Sequence, residues 1–183
     1  FTALEALTGP VLGYRRKARL AVRYVHKKSQ VLVGFREKNS SFITHMDNCQ
    51  VLDVRIASLL PELSELIGGL EGFREIPQIE VAAGDPDFSD TTFALVFRHL
   101  QPLAENDQEK LTAFAAKKGF ALYFQPGGME TVHKVFPVGG IDRLYYRLPE
   151  FELTLGFHPT DFTQVNAEIN CKMVSRALEL LEL

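Results

Sequence analysis

The chain has 183 residues, 46% of them apolar, and a formal charge of −3 at neutral pH, enough to bury one large core, or one core and a small lobe. No apolar run of about eighteen residues occurs and the first twenty residues lack the zones of a secretory signal, so the reading is a soluble, cytoplasmic protein. Two cysteines, Cys49 and Cys171, exclude a disulfide scaffold and leave free thiols or a ligand.

In chain order, residues 14–25 alternate basic and apolar side chains. Arg15, Lys17, Arg19, Ala21 and Arg23 share one face and Ala18, Leu20, Val22 and Tyr24 the other, with Arg16 out of phase; this predicts a strand. Residues 31–36 repeat the pattern after a polar break, so the two form a hairpin, and residues 41–45 could add a third strand. The positive charge is concentrated here. Residues 1–40 hold nine Lys or Arg against Glu5 and Glu37, a local +7 that leaves −10 on the remainder. Local positive charge is what contact with phosphates needs; a solvated hairpin face is the other reading.

Residues 52–67 place Leu52, Ile56, Leu59, Leu60, Leu63 and Ile67 at helical spacing with Gly68 as the C′ residue, and Pro61 inside predicts a kink or two short helices. Residues 78–83 and 92–99 read as strands around an acidic loop, 84–90. A helix over 107–118 follows, with Asn106 as its cap, Glu109 completing a capping-box-like pair, Lys117 and Lys118 at its negative end and Gly119 closing it. Residues 120–124, 131–136 and 151–157 complete the strands, the middle one bracketed by Gly127-Gly128 and Gly139-Gly140. Residues 166–183 space Ile169, Met173, Val174, Ala177, Leu178 and Leu181 on one helical face without a stop signal. With the opening on Phe1, this stripe gives the expectation that the chain is a piece of a longer protein. The expected class is α+β with a largely antiparallel sheet and packed helices.

None of the common glycine-rich nucleotide, zinc-protease or hydrolase signatures occurs. His45 and Cys49 are four apart, half of a metal site if the chain turns tightly there, or a buried structural cysteine. Residues 158–166, HPTDFTQVN, are the densest polar and aromatic stretch, between a strand and a helix. Phe162 could stack on a base, Gln164 could offer a donor and an acceptor, and Asn166 could cap the helix; an ordinary strand-to-helix connection is the alternative. His158 with Asp161 has no nucleophile beside it, and Cys171 reads as inert.

Three stretches, GYRRKARL (13–20), DNCQVL (47–52) and HPTDFTQVNAEINCKMVSRALE (158–179), together resemble the bacterial RNA uridine-5 methyltransferases, above all the branch acting on 23S ribosomal RNA. The resemblance covers essentially the whole chain and implies the central portion of a three-part enzyme, between an RNA-binding β-barrel and a Rossmann-like domain for S-adenosylmethionine. It implies a catalytic cysteine outside these residues that adds to C6 of a flipped-out uracil so that C5 can take a methyl group. Within the chain it implies that Gln164 contacts the cofactor, that Phe162 lies near the target base, that Arg15, Arg16 and Lys17 follow the RNA path, and that Cys49 is the fourth ligand of a [4Fe-4S] cluster. The family commonly has proline after this cysteine, where this chain has Gln50. The implied layout is 1–50 as the basic strand region with the cluster cysteine, 51–157 as the α+β core, and 158–183 as the cofactor- and base-contacting segment with its linking helix. A non-catalytic RNA-binding module and a transfer-RNA uracil methyltransferase stay open as alternatives.

Overall fold

The computed structural model describes residues 3–44, 46–88, 91–140 and 142–182. Strand β1 (Lys17–Val25) runs through a tight turn into β2 (Gln30–Gly34) and pairs on its other side with β3 (Gln78–Ala83). Beyond β3 lie β4 (Phe93–Arg98), β5 (Ala121–Gln125) and β6 (His133–Phe136), giving the order β2-β1-β3-β4-β5-β6. All neighbours are antiparallel except β4 and β5, whose parallel pairing requires the crossover that α3 (Glu105–Lys118) supplies.

Helices α1 (Val54–Ala57), α2 (Leu60–Gly68) and α3 lie on one face of this sheet. Their Ile56, Leu60, Leu63, Ile67 and Leu111 interlock with Leu20, Val33, Ile79, Leu95 and Phe97, all buried. On the opposite face a separate hairpin, β7 (Leu144–Leu148) and β8 (Leu153–Phe157), packs Leu144 and Phe157 over Ala82, Ala94, Val96, Ala121 and Tyr123. Strands β4 and β5 are covered on both faces, hence their near-continuous apolar sequences, FALVF and ALYF. The expected α+β class with a largely antiparallel sheet is borne out.

As Pro61 predicted, the 52–67 segment forms two short helices, with Pro61 in the first turn of α2, where its missing N–H costs nothing. Several other local expectations change. Gly68 is the last helical residue, and Gly69 follows as the cap with φ −90° rather than a left-handed turn. Helix α3 starts two residues early, so Asn106 lies inside it and the cap is Ala104, without a side-chain bond. Asp107 does other work: fully buried, its carboxylate accepts from the Glu71 and Gly72 amides at 2.9 and 2.8 Å. Gly119 closes α3 at φ +72° as expected. The third strand at 41–45 reduces to one bridge between Arg36 and Ile43, and β7 was not anticipated.

The last helix, α4 (Ala167–Leu180), starts where expected, Asn166 Oδ1 accepting from the Ile169 amide at 3.1 Å. None of its residues is buried. The segment before β1 follows it: Lys172 Nζ donates to the Thr8 carbonyl at 2.8 Å, and a Cβ on Gly9 would meet Ile169 at 2.9 Å.

Glycine is required where the hairpin docks. The Asp85 amide donates to the Tyr145 carbonyl at 2.7 Å, and a Cβ on Gly84 would stand 2.6 Å from that oxygen. Gly84→Ala is therefore expected to destabilise the fold by about 1–3 kcal/mol, since backbone cannot yield as a side chain can. Gly68→Ala, with only a Val31 methyl at 3.9 Å, is expected to be neutral or to stabilise by up to about 1 kcal/mol. Urea titration of both variants checks this, and equal effects would contradict it.

Candidate functional site

The three motifs that carry the family resemblance meet in space. The Arg15 amide donates to the Val51 carbonyl at 2.8 Å, and the Arg15 carbonyl accepts from the Asp53 amide at 3.0 Å. On the other side the Arg16 amide donates to the Val165 carbonyl at 2.9 Å. Residue 15 thus bridges in parallel to Leu52 and antiparallel to Asn166. The start of β1, the turn after Cys49 and the loop before α4 form one main-chain junction.

The loop is pinned at both ends. At its start Asp161 Oδ2 accepts from the His158 amide at 2.7 Å and the Asp161 amide donates back to the His158 carbonyl at 2.8 Å. Lys17 Nζ donates to the Asp161 carbonyl. The His158 ring stands edge-on to Tyr123, 5.3 Å between centroids, with Nδ1 2.7 Å from Thr160 Oγ1 and Nε2 3.8 Å from Asp142, which also accepts from the Tyr123 hydroxyl. At its end Asn166 caps α4 and donates to the Pro10 carbonyl at 3.5 Å. Between these anchors Phe162 is 84% exposed, and Gln164 is also exposed. A side chain that points outward from a pinned loop is available to something beyond the chain.

Gln164 lines a cleft with Arg16, Tyr146, Arg147, Thr163 and Asn170. Asp85 organises that cleft: its carboxylate pairs with the Arg16 guanidinium and accepts from the Arg147 amide at 2.8 Å. The Arg147 guanidinium lies over Phe88 at 5.3 Å. Sequence reasoning missed Asp85, Tyr146 and Arg147. Asp85 belongs to an acidic loop with no motif, and β7, which carries the other two, was not anticipated.

The three basic residues of β1's approach are all half-buried. Arg15 stacks toward Phe35 at 5.9 Å, and its buried Nε has no hydrogen-bond partner among the described residues. Arg16 is held by Asp85. Burial lowers the Lys17 ammonium below its ordinary pKa, against the opposing attraction of Glu80 and Asp161. Arg19, one turn of the pleat further on, pairs with the buried Glu80 at 2.6 Å.

Cys49 is half-buried, packed with Met46 against the core, and its carbonyl accepts from the Leu52 amide at 3.2 Å. His45 lies outside the described residues. Among those described, no cluster of three or more His, Cys, Asp or Glu could hold a metal ion, and two cysteines in the chain cannot complete a four-iron cluster. Cys171 is a poor nucleophile: burial and the nearby Asp85 raise its pKa, and its thiol donates to the Arg147 carbonyl at 3.6 Å.

No family model matches the chain. It is 52% identical over 180 residues to the 23S rRNA (uracil(1939)-C(5))-methyltransferase RlmD of Alcanivorax borkumensis, covering 98% of this chain and 39% of that protein. The proteins of the same name from Hahella chejuensis and Alkalilimnicola ehrlichii are 50% and 54% identical, over 96% and 97% of this chain and 38% and 39% of their own lengths. The chain thus spans about two fifths of these relatives. Among solved structures, the Pyrococcus abyssi tRNA (uracil-54, C5)-methyltransferase in complex with S-adenosyl-L-homocysteine superposes with a TM-score of 0.62 at 18% identity, covering 93% of this chain and 41% of that one. That likeness shows a shared fold, and the near-complete match to the first three bears out the resemblance read from the motifs.

Burial lowers the His158 pKa, outweighing the pull of Asp142 and Asp161 toward the charged form. A folded-state pKa below the unfolded value of about 6.5 means that the native fold resists the proton the unfolded chain accepts. This contribution to stability is therefore fully present above pH about 6.5 and is lost over the interval below it, as pH falls through the lowered folded-state pKa. The expected outcome is a fall in urea midpoint over that interval that shrinks in His158→Gln; an undiminished fall in the variant would remove His158 as its source.

Proposed function

We propose that this chain, similar over nearly its whole length to 23S rRNA uracil-C5 methyltransferases, is the central portion of such an enzyme, which forms 5-methyluridine in 23S ribosomal RNA in the cytoplasm. No helix among the described residues is long and apolar enough to cross a membrane, which fits that setting. The observation that carries the reading is the junction at Arg15 and Arg16, where residues from all three motifs are hydrogen-bonded into one wall with Phe162 and Gln164 on its outer side.

On this reading Phe162 stacks against the flipped target base, since an exposed aromatic on a fixed loop offers a π-face without reorganisation. Gln164 hydrogen-bonds S-adenosylmethionine, its amide supplying a donor and an acceptor to a ligand that has both. When bound, the cofactor supplies an electrophilic methyl group. The chain's residues position the base and the cofactor; the attacking thiol belongs to polypeptide outside this chain, because Cys171 is bonded and unactivated. Arg15, Arg16 and Lys17 support the RNA path more by holding the wall than by free charge, since Arg16 and Lys17 are bonded internally and Arg15 is stacked. The exposed apolar positions of α4, such as Met173 and Leu180, provide the seat for the cofactor-binding domain. Cys49 serves as one thiolate of a [4Fe-4S] cluster whose other ligands lie outside the chain.

Deleting the gene that encodes this chain is expected to remove 5-methyluridine from one position of 23S ribosomal RNA, read by mass spectrometry of nuclease fragments. Restoring it with Phe162→Ala or Gln164→Ala is expected to lower the methylation rate about tenfold or more each, from one lost stack or one lost hydrogen bond of roughly 1–3 kcal/mol. An unchanged 23S modification pattern in the deletion strain sinks the proposal.

The chain of 183 residues purified alone is expected to carry no stoichiometric iron or acid-labile sulfide, because one thiolate does not hold four irons. A brown, iron-loaded preparation of it would contradict the ligand arrangement.

A further inference from the structure

We infer that a second RNA-contacting surface lies at the far end of β1, where Arg23, His26, Lys27, Lys28 and Phe42 form a basic groove with an aromatic edge that takes a single-stranded RNA segment. The inference rests on the reading of the chain as part of an RNA-modifying enzyme and adds to it where the RNA runs beyond the target base.

The argument starts from where the positive charge is free. At the start of β1, Arg16 pairs with Asp85, Lys17 is bonded to the Asp161 carbonyl, and Arg19 pairs with Glu80. At the other end Lys27 and Lys28 are exposed on the tight turn into β2, and neither has an ion pair among the described residues. Arg23 is exposed and uses one guanidinium N–H on the Ser41 carbonyl at 2.7 Å, a small part of its donor set. Against these three cations the groove has one carboxylate, Glu37. An excess of unpaired cations along a groove is what a phosphate backbone requires, since affinity comes from neutralised phosphates and released counterions.

Phe42 makes the groove more than a charged surface. A single exposed phenylalanine is common, but this one, 67% exposed, sits on a fixed turn. Its amide donates to Ser40 Oγ at 3.0 Å and its carbonyl accepts from the Glu37 amide at 3.1 Å. An exposed aromatic on a hydrogen-bonded turn beside unpaired cations is the combination with which proteins bind single strands, stacking bases on the ring and tracking phosphates with the charges. The groove, about 490 Å³, has room for a nucleotide. Strand β1 runs from Lys17 to Val25, so at ~3.3 Å per residue this surface lies about 20–26 Å along the strand from the Lys17 end and its target-base loop.

The test is fluorescence anisotropy of the full 183-residue chain with a fluorescein-labelled single-stranded RNA of about 12 nucleotides, within the usual single-strand site size, at several salt concentrations. Lys27→Ala with Lys28→Ala is expected to weaken binding and lower the slope of log affinity against log salt by about 1.4, or ~0.7 per lost phosphate contact. Phe42→Ala is expected to weaken binding about tenfold with an unchanged slope. All these side chains are exposed, so thermal midpoints should match the parent and exclude unfolding as the cause. Parental affinity in the double variant, or no RNA binding by the parent, overturns the inference. So does a loss that is equal for heparin and RNA and is insensitive to Phe42→Ala, which would mark a surface for any polyanion, an acidic protein included. Methylation of 23S ribosomal RNA in cells separates the two readings. If the double variant binds RNA as the parent does while 5-methyluridine still depends on the gene, only this inference fails. If the groove behaves as expected but 5-methyluridine does not depend on the gene, the enzymatic reading fails and the groove stands.

Discussion

The main chain at Arg15 and Arg16 is the constraint on which the rest depends. A backbone that has just left an irregular segment and not yet entered a sheet must satisfy its N–H and C=O groups somewhere. Here they are met by Val51 and Asp53 on one side and Val165 on the other. Those bonds join segments more than a hundred residues apart before β1 begins its pairing with β3 at Lys17. Helix α4 can therefore start beside the sheet although none of its residues is buried. The loop before it is fixed by polar bonds, which leaves Phe162 and Gln164 free of packing duty.

Charge follows the same division. Where β1 approaches the junction its basic side chains are used structurally: Arg16 meets Asp85 from the β3–β4 loop, and Arg19 meets the buried Glu80 across the ladder. Asp85 is the hub, because its carboxylate and amide also hold β7 through Arg147 and Tyr145. One residue thus ties the edge of the cleft to the hairpin that closes the second face. Exposed surface ion pairs contribute little, but Arg16 and Asp85 have side-chain exposures of only 26% and 20% and the acid has further bonds, so the arrangement fixes geometry more than it adds stability. Free positive charge remains at the other end of the strand.

Much of the architecture was legible in the sequence because periodicity reports burial. The alternation at 17–25, the apolar runs FALVF and ALYF and the Gly119 stop each correspond to an observed element. What was not legible depends on long-range partners. Asn106 has the chemistry of a cap, yet α3 begins earlier, with Asp107 recruited by the amides of Glu71 and Gly72 thirty-six and thirty-five positions away. Strand β7 is short, with half-buried tyrosines at successive positions, so no period of two marks it. At the candidate site the composition of residues 158–166 identified the loop, and Asn166 was correctly read as the cap. The internal use of Arg16 and Lys17 could not be read, because Asp85 and Asp161 lie sixty-nine and one hundred forty-four residues away.

The most direct measurement is native-state hydrogen exchange at the amides of Arg15, Arg16 and Asp53, in the parent chain and in Asn166→Ala, which removes the cap at a cost of about 1 kcal/mol. If the three segments form one cooperative junction, the three amides are protected to a similar degree and all exchange faster in the variant. If Arg16 exchanges like an open peptide while Arg15 and Asp53 stay protected, the loop bearing Phe162 and Gln164 is not docked on β1, and the wall that the account requires does not exist.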